Sequence, residues 1–182
     1  MSRDLRDDFE AGVHHVWARG NRRQLIFVEN ADRHIYLALL GKCVERARWS
    51  CLAYCLMDNH VHLLVETERP NLSAGMQWLH GQYAFGFNRR HRQVGHLFQG
   101  PFGSNRMADE RQLISTIGYI ALNPCAAGLC SDPSDWPWSS HAALEGGFAP
   151  PCLDVAALHR HLAPLGGDPR ERYLELVAAR AT

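Results

Sequence analysis

Lysine is almost missing from this 182-residue chain: of its nineteen basic residues only Lys42 is a lysine. No run of about 18 apolar residues occurs, which excludes a helix that spans a membrane. The six cysteines (Cys43, Cys51, Cys55, Cys125, Cys130 and Cys152) never fall in Cys-x-x-Cys spacing and sit mostly among apolar neighbours. Buried, reduced thiols of a cytoplasmic protein are therefore expected, rather than a zinc site or a disulfide framework. The charged start, Met1-Ser2-Arg3-Asp4-Leu5-Arg6-Asp7-Asp8, has no apolar core and does not read as a secretory signal. Formal net charge is also missing: it is zero.

What is present is globular. Hydrophobic residues make up 46% and charged residues 21%, enough for one buried domain with an appended segment. The zero net charge hides an uneven distribution. Residues 1–107 carry 14 basic and 10 acidic side chains, and residues 108–182 carry 5 and 9. An arginine-rich, net basic first part suits planar, bidentate contacts to phosphate, although a GC-rich genome produces the same bias.

Strand and helix periodicities alternate along the chain. Gly12–Arg19 is rich in strand formers and ends at the turn signal Gly20-Asn21. A helix is expected over Asp32–Ala47, with Asp32 as N-cap and Ile35, Leu39, Leu40, Val44 and Ala47 at helical spacing. Ser50–Met57 and Val61–Glu68 read as two strands of a hairpin turning at Asp58-Asn59. A second helix opens at Pro70-Asn71-Leu72-Ser73 with Met76, Leu79, Tyr83 and Phe87 as its buried stripe, and closes on Arg89-Arg90-His91-Arg92. Gly95–Met107 reads as extended, and a third helix runs from the cap Asp109 to Leu122, stopping before Pro124. This order is that of an α+β, ferredoxin-like antiparallel sheet with helices packed on it. Residues 1–130 form the expected main domain. Residues 131–182, rich in loops and with one or two short helices, form a C-terminal extension packed on it.

Asn59-His60-Val61-His62 precedes the apolar run Leu63-Leu64-Val65. With period-2 alternation, His60 and His62 share one strand face. The residues alone admit two readings, a pair of metal ligands or two histidines on a half-exposed strand. On the third helix Tyr119 and Asn123 are neighbours one turn apart on the polar side. They too can be read blandly, as an aromatic at the core edge and a helix stop before Pro124. Beside a histidine pair, a phenol and an amide oxygen are the parts needed for metal-assisted attack on phosphorus.

At this point the sequence resembles a known family, the single-tyrosine transposases of the His-hydrophobe-His superfamily, and within it the REP-associated tyrosine transposases. The matching blocks, spread over about residues 12 to 142, begin with His14-His15-Val16 and Arg19-Gly20-Asn21. Ala53-Tyr54-Cys55-Leu56-Met57, Asn59-His60-Val61-His62-Leu63-Leu64, Asn88-Arg89-Arg90-His91 and Gly95-His96-Leu97-Phe98-Gln99-Gly100 continue them. Tyr119-Ile120-Ala121-Leu122-Asn123-Pro124, Ala127-Gly128-Leu129 and Trp136-Pro137-Trp138-Ser139-Ser140 close the series.

The resemblance implies a ferredoxin-like fold and a Mg²⁺ or Mn²⁺ site formed by His60 and His62 with help from Asn123. It also implies Tyr119 as the nucleophile that cleaves single-stranded DNA beside a palindromic hairpin through a 5′-phosphotyrosine. Imidazole ligands alone would also suit zinc. Arg19, Asn21, Arg22, Arg89, Arg90, Arg92 and Arg106 are the expected DNA contacts, with a cytoplasmic location and either a monomer or a dimer. Tyr83, Phe85 and Phe87 upstream of the basic stretch are candidates for core packing or for base stacking. Pro101, Gly118 and Ala126 stand where the family tends to have arginine, which bears on DNA affinity and hairpin choice. Two other functions fit the residues less fully. One is a domesticated hairpin-binding protein without productive turnover. The other is a metal-dependent hydrolase of a small phosphoester, which would leave Tyr119 idle.

Overall fold

The computed structural model describes residues 10–146 and 148–181, so the N-terminal stretch discussed above lies outside it. Four strands, β1 (Gly12–Arg19), β2 (Trp49–Leu56), β3 (His60–Thr67) and β4 (Gly103–Arg106), form one antiparallel sheet in the order β2-β3-β1-β4. Helix α1 (Asn30–Ala47) joins β1 to β2, α2 (Leu72–His91) joins β3 to β4, and α3 (Glu110–Ala126) follows β4. This is the ferredoxin-like arrangement that the order of elements implies. Directly opposed residues share a face, so the register Arg19↔His60, Trp17↔His62 and His15↔Leu64 puts His15, Trp17, Arg19, His60 and His62 on one side. Val61, Leu63 and Val65 face the other way and are fully buried under α1 and α2.

Local chemistry departs from the sequence reading at three places. Asp32 is not the N-cap of α1. Glu29 is, and Asp32 lies three residues in, its carboxylate accepting the backbone N–H groups of Val28 (2.9 Å) and Glu29 (3.0 Å). A carboxylate in the first turn satisfies orphan donors from either position. Helix α3 does not stop at Leu122 but runs through Pro124 to Ala126. The proline forfeits one hydrogen bond, and the chain beyond it folds back so that Ala127 N–H bonds Asn123 O and Leu129 N–H bonds Pro124 O. Within Gly95–Met107 only Gly103–Arg106 is a strand.

The extension holds three helices rather than one or two: α4 (Ser140–Glu145), α5 (Val155–Leu162) and α6 (Pro169–Ala181). It closes the open edge of β2. Leu56 N–H bonds Trp138 O (2.9 Å), Asp154 N–H bonds Cys51 O (2.8 Å), and bridges form at Cys55↔Ser139 and Cys51↔Leu153. All six cysteines are free thiols; Cys43, Cys51, Cys55 and Cys152 are buried, while Cys125 and Cys130 are partly exposed with their sulfurs 3.6 Å apart. Among the described residues no helix is long and apolar enough to cross a membrane.

Candidate active site

Helix α3 lies over the face of the sheet that carries the histidines. Asp109 caps it by accepting Gln112 N–H (2.8 Å), and the Gln112 side chain accepts Ala108 N–H in return (2.8 Å). Leu113, Ile117 and Ile120 are buried, which fixes the rotation of the helix and directs Tyr119 and Asn123 to the histidines. The Tyr119 ring stands edge-on to His62 (centroids 5.4 Å, 88°) and to His15 (5.8 Å, 71°), and the residue is 42% exposed. One turn on, Asn123 Oδ1 is 3.2 Å from His60 Nε2. The four residues picked from the sequence converge.

The imidazoles are held in defined states. Burial pushes His62 down to about 3, helped by His15, His60 and Arg19, and pushes His15 down to about 4. His60 is also lowered, by burial first; its contact with Asn123 opposes the shift and Arg19 adds to it. All three rings are therefore neutral at pH 7. His62 Nδ1 is engaged by His15 Nε2 at 3.0 Å, which leaves His62 Nε2 as its free ligand atom. His60 Nδ1 lies 2.8 Å from Asn59 Oδ1 and Nε2 3.2 Å from Asn123 Oδ1; the neutral ring donates to one of these oxygens, and with the proton on Nδ1 the Nε2 lone pair faces Asn123. Two acceptors converging at this distance are suited to a cation between them. Neutral imidazole nitrogens with an amide oxygen form a donor set for a divalent metal, so the residues present fit the implied ion. A second group of donors, Asp132, His141 and Glu145, has ligand atoms within 4.8 Å of one another, but it lies in the extension.

A cleft of about 980 Å³ opens over this face, with Trp17, Arg19, Gln99, Pro101, Asn105 and Tyr119 in its wall. Gly103 is required there. A Cβ on it would meet the Trp17 indole at 2.2 Å, so a side chain would push the tryptophan out of the wall.

The basic residues divide. Arg19 lines the cleft; Asn21 and Arg22 sit just beyond it in a 3₁₀ turn (Asn21–Arg23), where Arg22 is exposed with φ 51°. Arg89 and Arg92 are exposed at the end of α2, but Arg90 lies 3.5 Å from Asp32, and Arg106 bonds Glu10 at 2.8 Å. Tyr83 and Phe87 belong to the core, and Phe85 is exposed. The sequence reading missed His15 as a site residue, although strand register brings it to His62. It also missed Arg180 and Arg111, which lie on the outer side of α3 beside Tyr119.

The family described as "Transposase IS200 like" matches residues 8–123. The chain belongs to that family. A protein of Haemophilus influenzae, provisionally named a REP-associated tyrosine transposase, is 25% identical over 107 residues. The match covers 53% of this chain and 61% of that protein, so the chain spans about three fifths of the curated relative's length. The solved structure of a REP-associated tyrosine transposase bound to a REP hairpin has a TM-score of 0.66 to this one at 19% identity. It covers 85% of this chain and 93% of that chain, and the likeness is one of fold.

Proposed function

We propose that this IS200-like transposase is a single-strand DNA endonuclease and strand transferase that acts beside palindromic hairpins. The observation that carries the reading is the placement of the Tyr119 phenol, half exposed at the cleft mouth and edge-on to His62, one helical turn from an amide that meets His60. Tyr119 Oη attacks a backbone phosphorus in line with the departing 3′-oxygen. The new P–O bond leaves the 5′-phosphate end of the break on the tyrosine and a free 3′-hydroxyl on the other strand end; the phenolic proton passes to solvent, and the departing 3′-oxygen takes a proton from it. Attack by a 3′-hydroxyl on the phosphotyrosine reverses the step and rejoins strands without a nucleotide cofactor. His60, His62 and Asn123 would hold Mg²⁺ or Mn²⁺, which when bound supplies Lewis-acid polarisation of the phosphate oxygens. A phenol is a weak nucleophile near neutral pH, which is why such help is needed.

The protein's own groups do the positioning. Arg19 adds positive charge at the cleft, and Trp17 and Pro101 give it walls. Arg89 and Arg92 at the end of α2 provide free guanidinium groups for the stem, whereas Arg90 and Arg106 are each paired with a carboxylate. The second reading, hairpin binding without turnover, would use the same contacts without the chemistry of Tyr119.

A labelled hairpin oligonucleotide with a single-stranded flank separates the two in the presence of Mg²⁺ or Mn²⁺. Cleavage with a covalent protein–DNA species is expected for the native chain, and its complete loss with retained binding is expected for Tyr119→Phe. His60→Ala and His62→Ala should also abolish it. Binding without any adduct would leave the non-enzymatic reading standing, and an adduct in Tyr119→Phe would move the nucleophile elsewhere.

A further inference from the structure

Helix α3 carries two neighbouring rows, one running to the histidines and one beside it. Gln112, Thr116, Tyr119 and Asn123 make one, and Arg111, Ser115, Gly118 and Leu122 the other, with three- and four-residue spacing. The second row meets α6, which is anchored by Tyr173 and Val177, both nearly fully buried. Gly118 is the point of closest approach. A Cβ there would stand 2.8 Å from Arg180 Cδ, so the glycine is what admits the aliphatic stem of Arg180. The stem lies across the helix, and Arg180 Nη1 donates to Ser115 Oγ at 2.7 Å. Its guanidinium thereby reaches a shallow cleft of about 550 Å³ that Tyr119 also lines, with Arg111, Gln112, Ser115 and Thr116.

Charge in this cleft is net positive, two arginines against one carboxylate. Among the described residues no carboxylate pairs with Arg111 or Arg180. The single acid of the lining, Asp109, has one oxygen committed to the N–H of Gln112. Guanidinium carries five N–H donors in a fixed fork, so one bond to Ser115 leaves donors free for the tetrahedral oxygens of a phosphate. The net acidic extension thus returns one cation to a place next to the phenol.

We propose that the cleft between α3 and α6 is a binding site for a backbone phosphate of the single strand held at Tyr119, with Arg180 as its main ligand and Arg111 beside it. The site rests on the DNA-cleaving reading of Tyr119. It holds the strand one row away from the attacking oxygen, outside the histidine cleft. Arg180 acts by positioning the strand and does not touch the reacting atoms.

Full-length Tyr119→Phe protein, which binds without cleaving, allows the test by fluorescence anisotropy with a hairpin bearing a single-stranded flank. Each single-strand phosphate neutralised contributes about 0.7 to the slope of log affinity against log salt. Adding Arg180→Ala should lower that slope by about 0.7, so that over a tenfold rise in salt its affinity falls about fivefold less than the parent's. Arg180→Lys should keep the parental slope. Gly118→Leu, which fills the place of the stem while keeping the charge, should match Arg180→Ala.

A measurement on the DNA tests the site in the parent protein as well as in the variant. One methylphosphonate in the flank should cost the parent the same slope and cost the Arg180→Ala variant nothing further. A hairpin without the flank should bind both alike. Equal slopes for the parent and Arg180→Ala, or equal sensitivity to every methylphosphonate, would overturn the site. Failure of the parent to bind any flanked hairpin would overturn the DNA reading itself.

Discussion

His15 shows how one residue of the cleft can set the geometry of another. Its Nε2 holds His62 Nδ1, and its ring stacks on His62 (centroids 5.2 Å, 24°). The bond fixes both the tautomer and the orientation of the ligand imidazole, a form of support whose loss typically costs about 10–100-fold in metal affinity. His15→Phe keeps the aromatic packing and removes only the bond. It should raise the Mn²⁺ concentration needed for half-maximal cleavage by about that factor, while saturating metal restores the rate. His15→Gln, which can re-form the bond, should recover most of the loss. An unchanged metal requirement in a titration of cleavage rate would show His15 to be packing alone. The faces of the histidine pair and the tyrosine were legible from strand and helix periods, while the roles given to them came from the family resemblance. His15 was not, because its partner is 47 positions away and is chosen by strand register.

Elements were read well where burial is periodic and less well where a single side chain decides. The apolar stripe of α2 and the hairpin β2–β3 follow directly from spacing. The start of α1 did not, since Glu29 and Asp32 can each satisfy first-turn donors, and the contacts of Asp32 with Arg90 and His91 come from another helix. The end of α3 was misread for a related reason: a proline in the last turn forfeits one bond, which the folded-back chain at Ala127 and Leu129 offsets. Strand β4 is only four residues long, and its pairing beside Trp17 depends on Gly103 having no side chain. Gly103→Ala should therefore destabilise the protein by about 1–3 kcal/mol, the usual range for an overpacked contact. A urea unfolding midpoint measures this, and it should fall along with quenching or shift of Trp17 fluorescence. An unaltered midpoint would mean that the indole yields without cost.

At the level of the whole molecule, neutral buried histidines couple stability to pH. His80 stacks on Phe98 (centroids 4.2 Å), contacts Tyr36 Oη at 3.3 Å, and is pushed by burial to about 4. In the unfolded chain it titrates near 6.5. Between those values the unfolded state binds a proton that the folded state refuses, so stability falls as pH drops from about 6.5 towards 4. His15 and His62 add to the slope in the same direction. Thermal midpoints should therefore decline from pH 7 to pH 5, and His80→Phe should decline less. Equal pH slopes for the two proteins would assign the effect to other groups. The extension contributes to the same global stability. It supplies hydrogen bonds along β2 and buries Leu158, Leu162, Tyr173 and Val177. Ending the chain after Leu129 should expose an apolar edge strand and yield aggregated protein, as sedimentation would show. A soluble, monodisperse fragment would contradict this. Its sequence was read as an apolar segment packed back on the domain, but the place of packing was not visible there. The strand edge it covers belongs to another part of the chain.

Arg33 ties these levels together. Its guanidinium, buried in α1, lies over the rings of Phe27 (5.3 Å), Trp138 (5.4 Å) and Trp136 (5.7 Å) and pairs with Asp58. Asp58 begins the turn whose next residue, Asn59, holds His60. A search for inactive alleles would accordingly recover changes at Trp136, Trp138 and Arg33 alongside those at Tyr119 and the histidine pair. Such alleles would look like catalytic defects by phenotype while leaving every reacting group in the chain, and second-site suppressors would map across the boundary between domain and extension.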